Sequence, residues 1–282
     1  MSVTTTQLPA ANFPSHVKPT GWILPGLLHS EWTKLRTVRS SYWTLLSAVV
    51  AMVGLSAILC AVYVAQYAHV SAADRATFDP ASFSLTGSFL AQLAIGVLGV
   101  LVITSEYGSG MIRATIAAVP QRLSVLASKA AVFAGVTLVV TTGACLVSFM
   151  VGQSILSSKG VGTSLGADNV LRTVLGTGLY LAVLGLLALG LGSIIRKTAG
   201  AIAAFFGLIL VVPVIASLLP SSMNAFQKFL PSNAGQALIN NGGRHGSKVT
   251  PQLAPWAGFG VFCLWAAVSL IIAGVLLVRR DA

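Results

Sequence analysis

GTSLG, residues 162–166, has the GxSxG spacing of a hydrolase nucleophile, with Ser164 at its centre. Such a serine attacks only from a strand-to-helix elbow with a histidine base in reach. Here it stands in a glycine-rich loop, and the only histidine beyond it is His245, in another loop; His16, His29 and His69 are scattered. Cys60, Cys145 and Cys263 each sit alone in a different apolar run, without CxxC spacing or a histidine neighbour, which is the pattern of packed thiols and not of metal ligands. No GxxxxGK[ST] phosphate loop occurs, so a nucleotide-driven process needs a second chain to bind the nucleotide. These observations point away from catalysis.

The segment EYGSGMIRATIAAVPQR, residues 106–122, suits mechanical docking instead. Glu106 and Tyr107 close a long apolar run, and Gly108, Ser109 and Gly110 permit a sharp change of direction. MIRATIAAV, 111–119, is helix-compatible, and Pro120 limits its continuation. The spacing predicts a short helix lying across the chain direction. Its Met111, Ile112 and Ile116 can fill a pocket in a partner, with Arg113 and Arg122 at the rim. The plainer reading is a structural turn between two apolar runs.

Composition says what must position this segment. Hydrophobic residues make up 55% of the 282 and charged residues 8%, against about 25% charged in soluble domains. From 130 to 158 there is no Asp, Glu, Lys, Arg or His. Uncharged runs of about 20 residues cross a bilayer as helices. The fold class is therefore an all-α polytopic membrane protein with spans at about 42–66, 82–104, 130–156, 173–195, 199–219 and 256–278. Only Arg196, Lys197 and Thr198 separate the fourth and fifth spans, which predicts a tight hairpin, and Pro213 predicts a kink in the fifth. Gly178, Ala182, Gly185 and Gly192 give the fourth span a small face for close helix contact. The spans so drawn contain no ionisable residue, which argues against a proton-coupled carrier. Gln92 and Gln153 are their most polar side chains, suited to hydrogen bonds between helices.

The net charge of +11 is not gathered into a basic domain, so it does not indicate nucleic acid. The cations flank the spans. With the amino terminus inside, the cytosolic segments hold Lys18, Lys34, Arg36, Arg39, Arg113, Arg122, Lys129, Arg196, Lys197, Arg279 and Arg280, and only six cations fall outside. Excess cations mark the cytosolic side, so both termini are expected there. Residues 1–25 read as a flexible cytosolic tail without a cleavable signal pattern. Residues 26–41 read as an amphipathic interfacial helix, with Leu28, Trp32, Leu35 and Tyr42 at helical spacing and Lys34, Arg36 and Arg39 on other faces. Residues 42–282 form the transmembrane domain. The outer segment 220–255 carries Phe226, Phe229 and Leu230 in its first half, which can fold back toward the membrane if buried in protein.

The order Glu106, Gly108, Pro120, Arg122, Lys129 resembles the E-x-x-G … P-x-x-R … K pattern after the second span of ABC-2-type ABC exporter permeases. Gly110 is a second candidate for the glycine, and Arg122 stands two places after the proline. SEWTKLRTVRSSYWTL, 30–45, is similar to the amino-terminal stretch of actinobacterial members. The resemblance implies a permease subunit in a bacterial cytoplasmic membrane that pairs with a second permease chain. It implies a coupling helix at 111–119 and a connecting helix bearing Leu28, Trp32, Lys34, Leu35 and Arg36, both docking on a separate ATPase. That partner carries ATP and Mg; no cofactor is expected on this chain. It also implies a substrate pathway along the second and fifth spans, making Phe89, Gln92, Phe205 and Phe206 candidates. An ATP-independent carrier or channel, and a membrane-embedded hydrolase using Ser164, are the alternatives.

Overall fold

A computed structural model describes residues 23–119, 121–218, 224–239 and 253–279. Among these residues the secondary structure is helical throughout. A first helix α1 (Ile23–Thr37) is followed by α2 (Arg39–Gln66), α3 (Ser88–Ser109), a short α4 (Met111–Ala118), α5 (Arg122–Leu156), α6 (Val170–Ile195), α7 (Thr198–Ser217) and α8 (Pro255–Arg279). Six of them, α2, α3, α5, α6, α7 and α8, are long and apolar enough to cross a membrane.

The spans depart from the expected limits in two informative places. Asp79 accepts hydrogen bonds from the Ala81 and Ser82 N–H groups and caps a separate helical turn, Pro80–Phe83, so the second span starts only at Ser88. That span also continues past Glu106, and the third begins at Arg122. At 35 residues and 1.5 Å per residue, α5 far exceeds a bilayer core of roughly 30 Å. Its first two turns therefore stand beside α4 and bring Lys129 inside a helix.

The centre of the bundle is α6, which packs against α3, α5 and α8. Its small residues explain why. A Cβ on Gly178 would lie 2.4 Å from Thr142 Oγ1, and one on Gly190 would lie 2.2 Å from Ser269 Oγ. On the facing helix, a Cβ on Gly99 would lie 2.5 Å from the Gly185 carbonyl oxygen. Backbones this close gain dispersion contacts that larger residues would forbid. Directional bonds fix the register: Tyr180 Oη donates to Gln92 Oε1 at 2.9 Å between α6 and α3, and Thr141 Oγ1 donates to the Gly178 carbonyl at 3.1 Å. Gln92 therefore has the helix-to-helix role its position suggested. At the other end, Gln153 Nε2 donates to Ser84 Oγ at 2.8 Å while its Oε1 accepts from the Thr163 N–H at 2.7 Å, tying two connecting loops to α5.

The proline in α7 acts through the turn before it. Residues Gly207–Val211 are π-helical, with the Val212 N–H donating to the Gly207 carbonyl five residues back. A wide turn of this kind makes room for the Pro213 ring, which otherwise collides with a carbonyl one turn earlier. Of the segment 220–255, residues 230–238 fold back into the protein, whereas Phe226 and Phe229 before them are exposed. Pro231, Ser232, Ala234 and Gly235 are buried, and Trp265 Nε1 of α8 donates to the Phe229 carbonyl at 3.0 Å.

Two glycines on different helices separate packing from propensity. Gly99→Ala meets backbone and is expected to cost about 1–3 kcal/mol from overpacking. Gly135→Ala meets nothing within 4 Å and is expected to be neutral or slightly stabilising, because alanine favours helix. Thermal unfolding in detergent distinguishes the two, and equal midpoints would contradict the close-packing account.

Candidate functional site

Four charged side chains meet where α1, α3 and α5 converge. On α1 the inward face reads Leu27, Glu31, Lys34, one residue per turn. The end of α3 supplies Glu106 and the end of the second turn of α5 supplies Lys129. Lys129 Nζ donates to Glu31 Oε2 at 2.5 Å and to Glu106 Oε1 at 2.7 Å. Lys34 Nζ donates to Glu31 Oε1 at 2.7 Å and to Glu106 Oε1 at 3.2 Å. Glu31, Glu106 and Lys129 are only 3%, 6% and 3% exposed. Two ammonium groups face two carboxylates, so the cluster is formally neutral and can be buried. Burial pulls the Lys34 pKa down, but the hydrogen bonds and negative charge of Glu31 and Glu106 outweigh it and raise it overall. Lys34 thus stays an ammonium through the neutral range.

The short α4 hangs directly beside this cluster. Gly110 has φ +72° and lets the chain reverse out of α3. Gly108 is ordinary helix with open space around it, so of the two glycines only Gly110 has a conformational reason to be there. Met111 and Arg113 are exposed. Ile112 is not: it is 3% exposed and borders a small interior void with Ile103, Tyr107, Val125 and Leu277. Ile116 packs partly against the cluster of Leu98, Leu126, Phe133 and Leu189. The expected apolar docking face is thereby corrected, because two of its three members hold α4 to its own chain.

Arg122 also lies away from the rim. Its Nη1 donates to the Leu277 carbonyl at 3.0 Å, and Arg196 Nη2 donates to the Leu276 carbonyl at 3.3 Å. Two guanidinium groups thus satisfy terminal carbonyls of α8 and complement its dipole. Arg196 also lies 5.0 Å from the Tyr107 ring centre. Pro120 lies outside the described residues. On α1, Leu28 and Trp32 are exposed, Leu35 and Lys34 are half-buried, and Arg36 stands 5.7 Å from the Trp32 ring.

The pathway candidates do not assemble into one surface. Gln92 and Phe205 are buried in the chain, Phe205 lying across Gly96. Phe89 is exposed and Phe206 half-buried, so these two remain free to line a space formed with a second chain. Ser164 begins a simple turn, its carbonyl accepting from the Ala167 N–H at 3.1 Å. Reading the sequence missed Glu31 as a site residue and took Lys129 only as part of a motif. Their signal was rarity: Glu31 and Glu106 are the only carboxylates between the amino terminus and the third span that fall on the expected cytosolic side.

A family model described as ABC-2 family transporter protein matches residues 27–214, the greater part of the chain. The match includes Glu31, Lys34, Glu106 and Lys129 together with α4. No curated protein matches the sequence.

Removing one charge from the cluster leaves another buried without compensation. Lys129→Met is expected to cost about 3–5 kcal/mol of stability. Adding Glu106→Gln should recover much of that loss, because the remaining Glu31 and Lys34 are still paired at 2.7 Å. A double-mutant cycle read by denaturation measures the coupling; simple additivity would show that the two residues do not interact.

Proposed function

The chain belongs to the ABC-2 family of transporter proteins, and we propose that it is the permease subunit of an ATP-driven exporter. In this reading the ATPase is a separate chain that carries ATP and Mg, and two permease chains pair in a bacterial cell membrane. Both termini lie in the cytosol. The observation that carries the proposal is the position of the charge cluster. It joins α1, α3 and α5 through buried ion pairs and lies next to α4, whose Met111 and Arg113 face outward.

The geometry supports a specific transmission. ATP-driven closure of the ATPase pair pushes on α4 and on the exposed face of α1. Ile112 holds α4 to the ends of α3 and α5, and Glu31 holds α1 to Lys129. A shift of α1 alone opens the cluster and a shift of α4 alone uncovers Ile112, so the displacement passes to α3 and α5 as rigid bodies. Nucleotide binding then shifts a population between two arrangements of spans. The outer spans α2 and α7 are largely uncovered in the single chain, which supports a pathway completed by a second copy or a related permease.

Docking is tested on α4. Affinity purification of the chain from its native membranes is expected to recover an ATPase bearing a phosphate loop. Met111→Ala with Arg113→Glu should reduce that recovery roughly thirtyfold, the equivalent of losing one interface anchor of about 2 kcal/mol. The loss should deepen with the Arg113 change at low salt, where charge is less screened. Undiminished recovery, or no ATPase with the unaltered chain, would return the ATP-independent carrier as the better reading.

Orientation is tested separately. In a background without native cysteines, Arg113→Cys and Lys197→Cys should react with an impermeant reagent only from the cytosolic side. Leu165→Cys should react only from outside. The opposite pattern would put α4 out of reach of any cytosolic ATPase.

A further inference from the structure

The span α7 is one helix with two different attachments. Its first half, Thr198–Phe206, is held to α3. Thr198 Oγ1 donates to Thr104 Oγ1 at 3.0 Å, and the fully buried Phe205 ring lies so close over Gly96 that a Cβ there would be 2.0 Å from it. Its second half, Val212–Ser217, leaves α3 and packs chiefly on the turn Asn224–Gln227, where Gln227 Nε2 donates to the Ala216 carbonyl at 2.6 Å. That turn leads into the part that folds back against α8. Asn233 Nδ2 donates to the Gln227 carbonyl at 2.9 Å, the Phe229 carbonyl accepts from Trp265, and a Cβ on Gly258 of α8 would lie 2.6 Å from the Ala234 carbonyl oxygen. The central helix α6 borders both attachments, so what distinguishes them is α3 on one side and α8 on the other.

Between the two attachments the backbone is at its weakest. In the π-helical turn Gly207–Val211 the Val212 N–H passes over the Leu208 carbonyl to reach Gly207, and Pro213 has no N–H to offer Leu208 or Ile209. Helices bend at such places, where the regular ladder is already interrupted. Packing holds the turn loosely too: Ile209 is its one buried residue, and a Cβ on Gly207 would meet nothing within 4 Å. We propose that this turn is a hinge. The first half of α7 moves with α3, the second half stays with α8, and the π-helical turn takes up the difference. The inference rests on the two attachments and not on what drives the spans, so it holds with or without an ATPase. What the hinge adjusts is a cleft. α3 and α7 run antiparallel and touch at Thr104–Thr198 and at Gly96–Phe205, then part. Phe89, further toward the start of α3, is 52% exposed on the parted side. Bending at the turn changes the width between Phe89 and Val212–Ser217 without breaking either attachment.

The test uses pairs of nitroxide labels on the full-length chain in lipid nanodiscs, in a background without native cysteines, read by pulsed electron double resonance. Ala203→Cys and Ile215→Cys are exposed positions on either side of the turn, and each is paired with Leu264→Cys, exposed on α8. The distance distribution from 203 to 264 should be roughly twice as wide as that from 215 to 264, since a hinge lets one side move against the other. A π-helical turn holds one residue more than an α turn, so deleting Val211 together with Pro213→Ala makes an unbroken helix that keeps Ala216 facing Gln227. That variant should narrow the first distribution to the width of the second. Gln227→Leu supplies a readout that does not depend on the deletion folding: it releases the second half from its anchor and should widen the 215 pair while leaving the 203 pair unchanged. Equal widths in the unaltered chain overturn the proposal, as does a joint response of both pairs to Gln227→Leu. Either result would make α7 a rigid rod whose π-helical turn only accommodates the Pro213 ring.

Discussion

An ammonium group 3% exposed inside a membrane protein cannot stand alone, and Lys129 imposes that constraint on the whole end of the bundle where α1, α3 and α5 converge. Bare burial of one charge costs several kcal/mol, a large part of the net stability of a typical domain. Lys129 therefore requires carboxylates, and the fold supplies them from helices distant in sequence: Glu31 from α1 and Glu106 from α3. Two carboxylates overcompensate one cation, and Lys34 restores neutrality. Each of the four residues is thus needed by another. The position of α1 against the spans follows from this balance more than from its apolar residues, since Leu28 and Trp32 face away from the chain.

Directionality is what the ion cluster adds to an otherwise apolar assembly. Dispersion between α6 and its neighbours holds the spans close, but smooth small-residue surfaces tolerate sliding. Gly99 against Gly185 and Gly178 against Thr142 fix a distance; Tyr180 to Gln92 and Thr141 to Gly178 fix a register. The helices so joined, α3, α5, α6 and α8, form the firm part of the bundle. At the periphery, α7 is interrupted by its π-helical turn and Pro213, and most of its surface is uncovered. The charge cluster attaches to the firm part.

Much of the architecture was legible because membrane chemistry writes it in simple terms. Charge-free runs located the six spans, the Arg196–Lys197 pair marked the α6–α7 reversal, and small residues marked the central helix. Positions failed where a boundary depends on local capping or on helix length. Asp79 delays α3, and α5 begins before its apolar run. Faces failed where a single dihedral decides them. Periodicity identified Met111, Ile112 and Ile116 as one apolar set, but the reversal at Gly110 determines which members turn inward, and two of them do. Glu31 was illegible as a site residue because Lys129, its buried partner, lies 98 positions away. No local pattern encodes such a meeting.

The same cluster explains why a charged solution suits a permease better than an apolar one of equal stability. Well-packed hydrophobic replacements of buried ion pairs are often no less stable, so stability alone does not account for four charges here. Their energy is steep in geometry. Separating Lys129 from Glu31 takes one of two partners from each of two buried charges, whereas apolar contacts lose energy gradually as surfaces slide. A joint of this kind has discrete states, intact or open, and resists intermediate ones. That is the property the proposed transmission requires, with force received on α1 and α4 and delivered to α3 and α5.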